Sequence, residues 1–146
     1  MKQVLLMIAL VALVALVALA GCGKPLIDDP IVEKAVRKSL RKPTGKLTKA
    51  DLEKVRSLYL SARGAAIAKK LTDVKGLENL TQLKTLYLND NQLTSVKGLE
   101  KLTKLEVLYL YKNPDLTKAQ IDELKKALPK CAIASNPTNK GYEESK

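Results

Sequence analysis

The sequence predicts an α/β fold: a short right-handed solenoid of about four parallel strands, closed by an N-terminal helical cap and a C-terminal helix-strand cap. Three observations carry this. The stretch Leu71 to Asn91 recurs 22 residues later as Leu93 to Asn113, almost residue by residue. Outside these two copies the pattern degrades at both ends, as an array requires of units with only one neighbour. Finally, none of the 146 residues is Phe, Trp or His. The core must then be aliphatic, which suits thin layers that each touch only the next.

The repeats come first. Leu83-x-x-Leu86-x-Leu88-x-x-Asn91 and Leu105-x-x-Leu108-x-Leu110-x-x-Asn113 match the leucine-rich-repeat signature of a short strand and a turn, so the array is expected to be a leucine-rich-repeat solenoid. Alternate strand residues point to opposite faces. Leu86 and Leu88 should enter the core, while Thr85, Tyr87 and Asn89 face out on the concave side. Upstream, Leu58-Tyr59-Leu60 repeats the strand core, with Arg63 in place of the Asn and 28 residues to the next strand, which implies an extra loop near Gly64-Ala65-Ala66. Downstream, Cys131-Ala132-Ile133 aligns with Leu108-Tyr109-Leu110, and Asn136 with Asn113. Asn91, Asn113 and Asn136 are expected as buried amides whose donors and acceptor satisfy turn backbone groups.

The caps follow. Ile31, Val32, Ala35, Val36 and Leu40 are spaced for one face of a helix beginning at Pro30. Thr48 with Asp51 three residues on has the form of a capping box opening a second helix, with Leu52 and Val55 to pack. Thr117 and Gln120 repeat that form before a helix running through Leu128, where Pro129 ends it.

The N-terminus differs from everything after it. Lys2 precedes an uncharged apolar run from Val4 to Ala20, followed by Gly21 and Cys22, the composition of a targeting segment. Leu19-Ala20-Gly21-Cys22 resembles the lipobox of bacterial lipoproteins, in which the Cys is lipid-modified and becomes the first residue of the mature chain. An uncleaved transmembrane helix is the alternative, since the run is just long enough to span. The expected organisation is a signal peptide at 1–21, a lipid-anchored linker at 22–29, the helical cap at 30–56, the repeat array at 57–137 and a disordered tail at 138–146. With Cys22 acylated, Cys131 is the one remaining thiol and no intrachain disulfide can form. Aligned with buried leucines, Cys131 is expected to pack as a small hydrophobe, with a reactive or intermolecular role as the alternative.

From Pro30–Leu40, through the link Lys42-Pro43-Thr44-Gly45-Lys46-Leu47-Thr48 and the two full repeats, to Leu128-Pro129-Lys130-Cys131, the chain resembles bacterial leucine-rich-repeat proteins of the internalin-like type over about residues 27 to 137. That resemblance implies a curved α/β solenoid whose concave sheet binds a protein partner. The array is shorter than the family's adhesins and shows no wall-sorting tail, so the fold carries over but an invasion or adhesion role does not.

Two surfaces are candidates for function. Tyr59, Tyr87 and Tyr109 share one outward strand position in successive coils, with Tyr111 beside them; together with Thr85 and Asn89 they form the expected partner-binding set. Strands lie about 4.8 Å apart, so the rings can stack. Such a ladder either binds, as rigid aromatics do at interaction hot spots, or only stabilises the sheet. The second surface is electrostatic. The chain is formally +11, and residues 34–70 hold twelve basic side chains against Asp51 and Glu53. Arg37, Lys38, Arg41 and Lys42 are the expected contacts to anionic head groups or another polyanion beside a lipid anchor; a merely solvated basic surface is the plainer reading.

The residues offer no nucleophile with a neighbouring base, no phosphate loop and no Cys/His cluster with metal spacing. Asp28-Asp29 reads as a linker or helix-start feature. The expectation is therefore a monomeric, exported, membrane-anchored envelope protein that is no enzyme, uses no cofactor or metal, binds no nucleic acid, and engages a protein partner not identified by its sequence.

Overall fold

The computed structural model describes residues 25–63 and 70–136. The apolar run with Cys22, the loop expected near Gly64-Ala65-Ala66 and the tail all lie outside the described residues.

Helix α1 spans Pro30–Leu40. Asp29 caps it, its Oδ1 accepting from the Ile31 and Val32 amides at 2.7 and 3.0 Å, and Pro30 stands at the first turn, where a missing N–H costs nothing. Val32 and Val36, one turn apart, are buried, and α1 packs on the first strand. The second helix is a single turn, α2, Lys49–Leu52, opened by the expected Thr48/Asp51 capping box. It buries Leu52, with Val55 buried just beyond.

Four three-residue strands, β1 (Ser57–Tyr59), β2 (Thr85–Tyr87), β3 (Val107–Tyr109) and β4 (Ala132–Ala134), form one parallel sheet in chain order. Leu58 pairs with Leu86, and Leu86 with Leu108. Between strands the chain returns through 3-10 turns at Leu77–Asn79 and Leu99–Lys101. Gly76 and Gly98 lead into these turns at φ 87° and 107°, a region that glycine enters without a Cβ clash. Leu58, Leu86 and Leu108 reach inward from the sheet and Leu77, Leu80, Leu99 and Leu102 from the returns, none more than 1% exposed. The core is thus a column of leucines with the sheet on one side and the 3-10 turns on the other. Emptying one such site, as in Leu86→Ala, costs about 2–5 kcal/mol.

Asn91 and Asn113 occupy the expected buried positions. Asn91 Oδ1 accepts from the Leu71 amide at 2.9 Å, and its Nδ2 donates to the Leu60 and Leu88 carbonyls. Asn113 repeats this with the Leu93 amide and the Leu88 and Leu110 carbonyls.

The last strand departs from expectation. Ile133, not Cys131, pairs with Leu108, and Ala134 with Tyr109. Helix α3 (Lys118–Ala127) occupies the last return, and the strand spacing becomes 25 residues instead of 22. Asn136 consequently falls opposite Tyr111, is exposed, and accepts from the Lys112 amide instead of joining the buried ladder. Cys131 sits just before the strand, half-buried. Helix α3 has the expected Thr117/Gln120 box, buries Ile121 and Leu124, and is tied to the array by Gln120 Nε2 donating to the Thr94 carbonyl at 2.9 Å.

The approach to α1 is also part of the packed domain. Asn79 Nδ2 donates to the Leu26 carbonyl at 2.7 Å. Ile27 is 3% exposed and lies directly on Gly76, where an added Cβ would stand 3.4 Å from the Ile27 Cα. Residues expected as a linker are, from Leu26 onward, a strap seated on the 3-10 side of the core.

A candidate interface on the tyrosine sheet

Strand register decides where the tyrosines stand. Because Leu58, Leu86 and Leu108 are held inward in one layer, the next residue of each strand faces out at the same height, and Tyr59, Tyr87 and Tyr109 align as cross-strand partners. Their rings stack face to face, 4.3 Å apart at 10° between Tyr59 and Tyr87, and 4.8 Å apart at 12° between Tyr87 and Tyr109. Tyr111 meets Tyr109 edge-on at 6.2 Å and 87°, the other arrangement that ring quadrupoles favour. Tyr59 is 69% and Tyr111 38% exposed, whereas Tyr87 and Tyr109 are half-buried by their neighbours. A hydroxyl hydrogen bond with Tyr59, then partial burial and the flanking phenols, raise the Tyr87 pKa above its ordinary value.

Thr85, also half-buried, lies in register between Ser57 and Val107. None of the outward strand residues, Ser57, Tyr59, Thr85, Tyr87, Val107, Tyr109, Ala132 and Ala134, carries a charge. The charges stand at the strand ends. Lys84 and Glu106 pair at 2.7 Å before β2 and β3, and Asp90 and Lys112 pair at 3.4 Å after them. A hydrogen bond from Asn89, then Lys112 and Arg63, hold the Asp90 carboxyl below the usual carboxylate range.

Asn89 does not join this surface. Alternation predicts that it faces outward, but it lies beyond the end of β2, beside Asp90 at φ 63°. It is 5% exposed, and its amide donates to Ser61 Oγ at 2.8 Å and Asp90 Oδ2 at 2.6 Å. Its role is to hold the turn.

The four basic residues expected to contact head groups divide into two groups. Arg37 is bound to Glu33 at 2.8 Å and donates to the Gly45 carbonyl at 2.9 Å. Lys42 donates to Asp51 Oδ2 at 2.7 Å and to the Lys46 carbonyl at 2.9 Å. Both hold the link between α1 and α2 together, and neither is a free surface charge. Lys38 and Arg41 are exposed, and Lys34, which spacing alone did not single out, is exposed one turn earlier. Along α1 and its C-cap the exposed basic stripe is therefore Lys34, Lys38 and Arg41.

Burial raises the Cys131 thiol pKa, which disfavours the nucleophilic thiolate. Between α3 and the second 3-10 turn is an open groove of about 510 Å³, floored by Val96 and Leu124 and edged by Lys97, Glu100 and Glu123; no motif announced it. Among the described residues no group of three His, Cys, Asp or Glu side chains could hold a metal, and no helix is long and apolar enough to cross a membrane.

Comparison with known proteins agrees with this geometry. Residues 81–126 match the family model described as leucine-rich repeats (two copies). No curated protein matches the sequence. Among solved structures, the chain is similar to an internalin (inlF) from Listeria monocytogenes, with 25% identity and a TM-score of 0.61 over 75% of this chain and 30% of that one. It is similar as well to internalin C2 of the same organism, with 26% identity and a TM-score of 0.62 over 74% of this chain and 45% of that one. This chain spans less than half the length of either. Its fold is that of a short leucine-rich-repeat solenoid, structurally similar to parts of two internalins.

Proposed function

We propose that the chain is a protein-binding module of a bacterial cell envelope, held at a membrane through its N-terminal segment and acylated on Cys22, which engages a partner on the sheet bearing Tyr59, Tyr87, Tyr109 and Tyr111. The observation that carries the reading is the in-register tyrosine stack on a sheet face without charge. Its rings are fixed by the leucines beneath them, so little conformational entropy remains to be lost on docking. Similarity to internalins supports a binding role over catalysis, and the apolar run ending in Leu-Ala-Gly-Cys supports the anchor.

The test is a pull-down from solubilised envelope with the domain as bait, against Tyr87→Ala and Tyr109→Ala variants, followed by melts and binding isotherms on the same proteins. Truncating a hot-spot ring should weaken the complex by about 2 kcal/mol, roughly thirtyfold. Lower melting temperatures with unchanged affinity would make the stack purely structural. Intact-mass spectrometry tests the anchor, since retention of Met1 to Gly21, unaltered by Cys22→Ser, excludes lipoprotein processing.

A second reading rests on the segregation of charge to the cap: the Lys34, Lys38 and Arg41 stripe adheres to anionic head groups. Vesicle co-sedimentation should then rise with anionic lipid and fall with salt, since exposed charges are screened beyond about 10 Å at 0.1 M. Charge reversals at Lys34, Lys38 and Arg41 should abolish it, and salt-insensitive association would exclude it.

A further inference from the structure

We propose that the strap Pro25–Asp29 is an orienting tether, which turns the 3-10 side of the solenoid towards a lipid bilayer and the tyrosine sheet away from it. The proposal rests on the reading that the N-terminal segment holds the chain at a membrane. It is indifferent to whether acyl groups on Cys22 or the apolar run itself makes the attachment.

The first support is where the strap is fastened. It does not leave the domain at the cap or at a sheet edge. Leu26 is hooked by its carbonyl to Asn79, and Ile27 is buried on Gly76. Both receptors belong to the first 3-10 turn, across the leucine core from the sheet. Asn79 breaks the repeat at this point, because the equivalent residue one coil later is the exposed Lys101. The amide occurs in the coil that the strap crosses, and not in the next.

The second support is length. Leu26 lies four residues after Cys22 and six after the apolar run ends at Ala20. Four extended residues reach at most about 14 Å. A domain of this size has a radius of gyration near 13 Å, so it is roughly 30 Å across. A leash shorter than the domain is broad, fastened on one side, keeps that side next to its anchor. Presenting the tyrosine sheet to the bilayer would require the strap to peel off, which exposes the buried Ile27 and exchanges the Leu26–Asn79 hydrogen bond for water.

The experiment uses the full chain with Cys131→Ser, and with Cys22→Ser as well where mass spectrometry finds Cys22 unacylated, reconstituted into vesicles that carry a head-group fluorescence quencher. A fluorophore is placed on Lys101→Cys, on the 3-10 side, or on Ser57→Cys, on the sheet. We expect the label at 101 to lose its fluorescence and the label at 57 to keep it. A third protein carries about a dozen Gly/Ser residues inserted between Lys24 and Pro25, adding a flexible span of roughly 20 Å. There the two labels should be quenched alike. Equal quenching without the insertion, in protein that floats with the vesicles, overturns the tether while leaving the anchor intact. A bias that survives the insertion also overturns it, because something other than the strap would then set the orientation. Protein that does not float removes the anchoring reading itself, and the tether with it.

Discussion

Asn91 and Asn113 meet at one atom: each donates through Nδ2 to the carbonyl of Leu88, at 3.0 and 2.9 Å. One coil's asparagine closes its own turn on that oxygen, and the next coil's reaches back to it. Successive turns are thereby joined inside the core, where water cannot replace a missing partner.

Replacing Asn113 by Ala should leave the Leu93 amide and the Leu110 carbonyl unpartnered, while Leu88 keeps Asn91. An orphaned buried group costs about 1–3 kcal/mol, so urea unfolding should show a loss of about 2 kcal/mol or more. Asn113→Asp should be no milder, since a carboxylate would face two carbonyls. Because the two asparagines share an acceptor, the Asn91→Ala/Asn113→Ala pair should be non-additive by about 0.5 kcal/mol or more. Strict additivity would contradict the shared-carbonyl geometry.

Asp90 and Lys112 hold equivalent turn positions at φ 63° and 58°, and glycine should affect them in opposite directions. A left-handed conformation costs an ordinary side chain about 1–2 kcal/mol. Lys112 gains only an exposed ion pair of small worth in return. Lys112→Gly should therefore raise the stability, by about 0.5 kcal/mol once the flexibility of glycine is subtracted. Asp90→Gly should lower it, because that carboxylate also accepts from the Asn89 amide. Thermal melts of the two variants at one pH decide this; a lower melting temperature for Lys112→Gly would refute it.

Stability should be level between about pH 5 and 8, since the chain has no His to titrate there. It should fall in acid. Hydrogen bonds from Lys42, then from the Thr48 amide and hydroxyl, hold the Asp51 carboxyl well below the usual carboxylate range, and Asp90 is lowered likewise. A carboxylate depressed in the folded state contributes fully above its ordinary value of 3.8. That contribution is lost as the pH falls through the lower, folded value. Melting temperature against pH should thus drop below about pH 4, and Asp51→Asn, less stable at neutral pH, should show a shallower acid limb. An identical acid limb would exclude Asp51 as a source of it.

The repeat was legible because its instructions are local: leucines at fixed spacing set strand, register and ring stack together. The capping boxes at Thr48 and Thr117 were equally plain, each acting on amides within a turn of itself, whereas Asp29, read with Asp28 only as a linker or helix-start feature, is the N-cap of α1. Reading failed where a long-range partner decides. Asn89 follows the outward phase in sequence, but the chain turns at Asp90 and buries it. The register of β4 depends on how much chain α3 consumes, which the Cys131-Ala132-Ile133 alignment did not weigh. Arg37 and Lys42 are basic in the expected places yet spent on Glu33 and Asp51. The strap was illegible, because Leu26 and its receptor Asn79 are 53 residues apart and neither belongs to a periodic pattern.

The 22-residue step between β2 and β3 makes length a free variable of this protein. A tandem duplication of one such step would splice a coil into the middle of the array without touching either terminus. The newcomer would bring its own ring for the stack, its own amide for the inner ladder and its own glycine for the return. Growth by unequal recombination between the two similar copies would then yield a longer sheet in a single event, and contraction a shorter one. The extent of the tyrosine face could change faster than the identity of any residue on it.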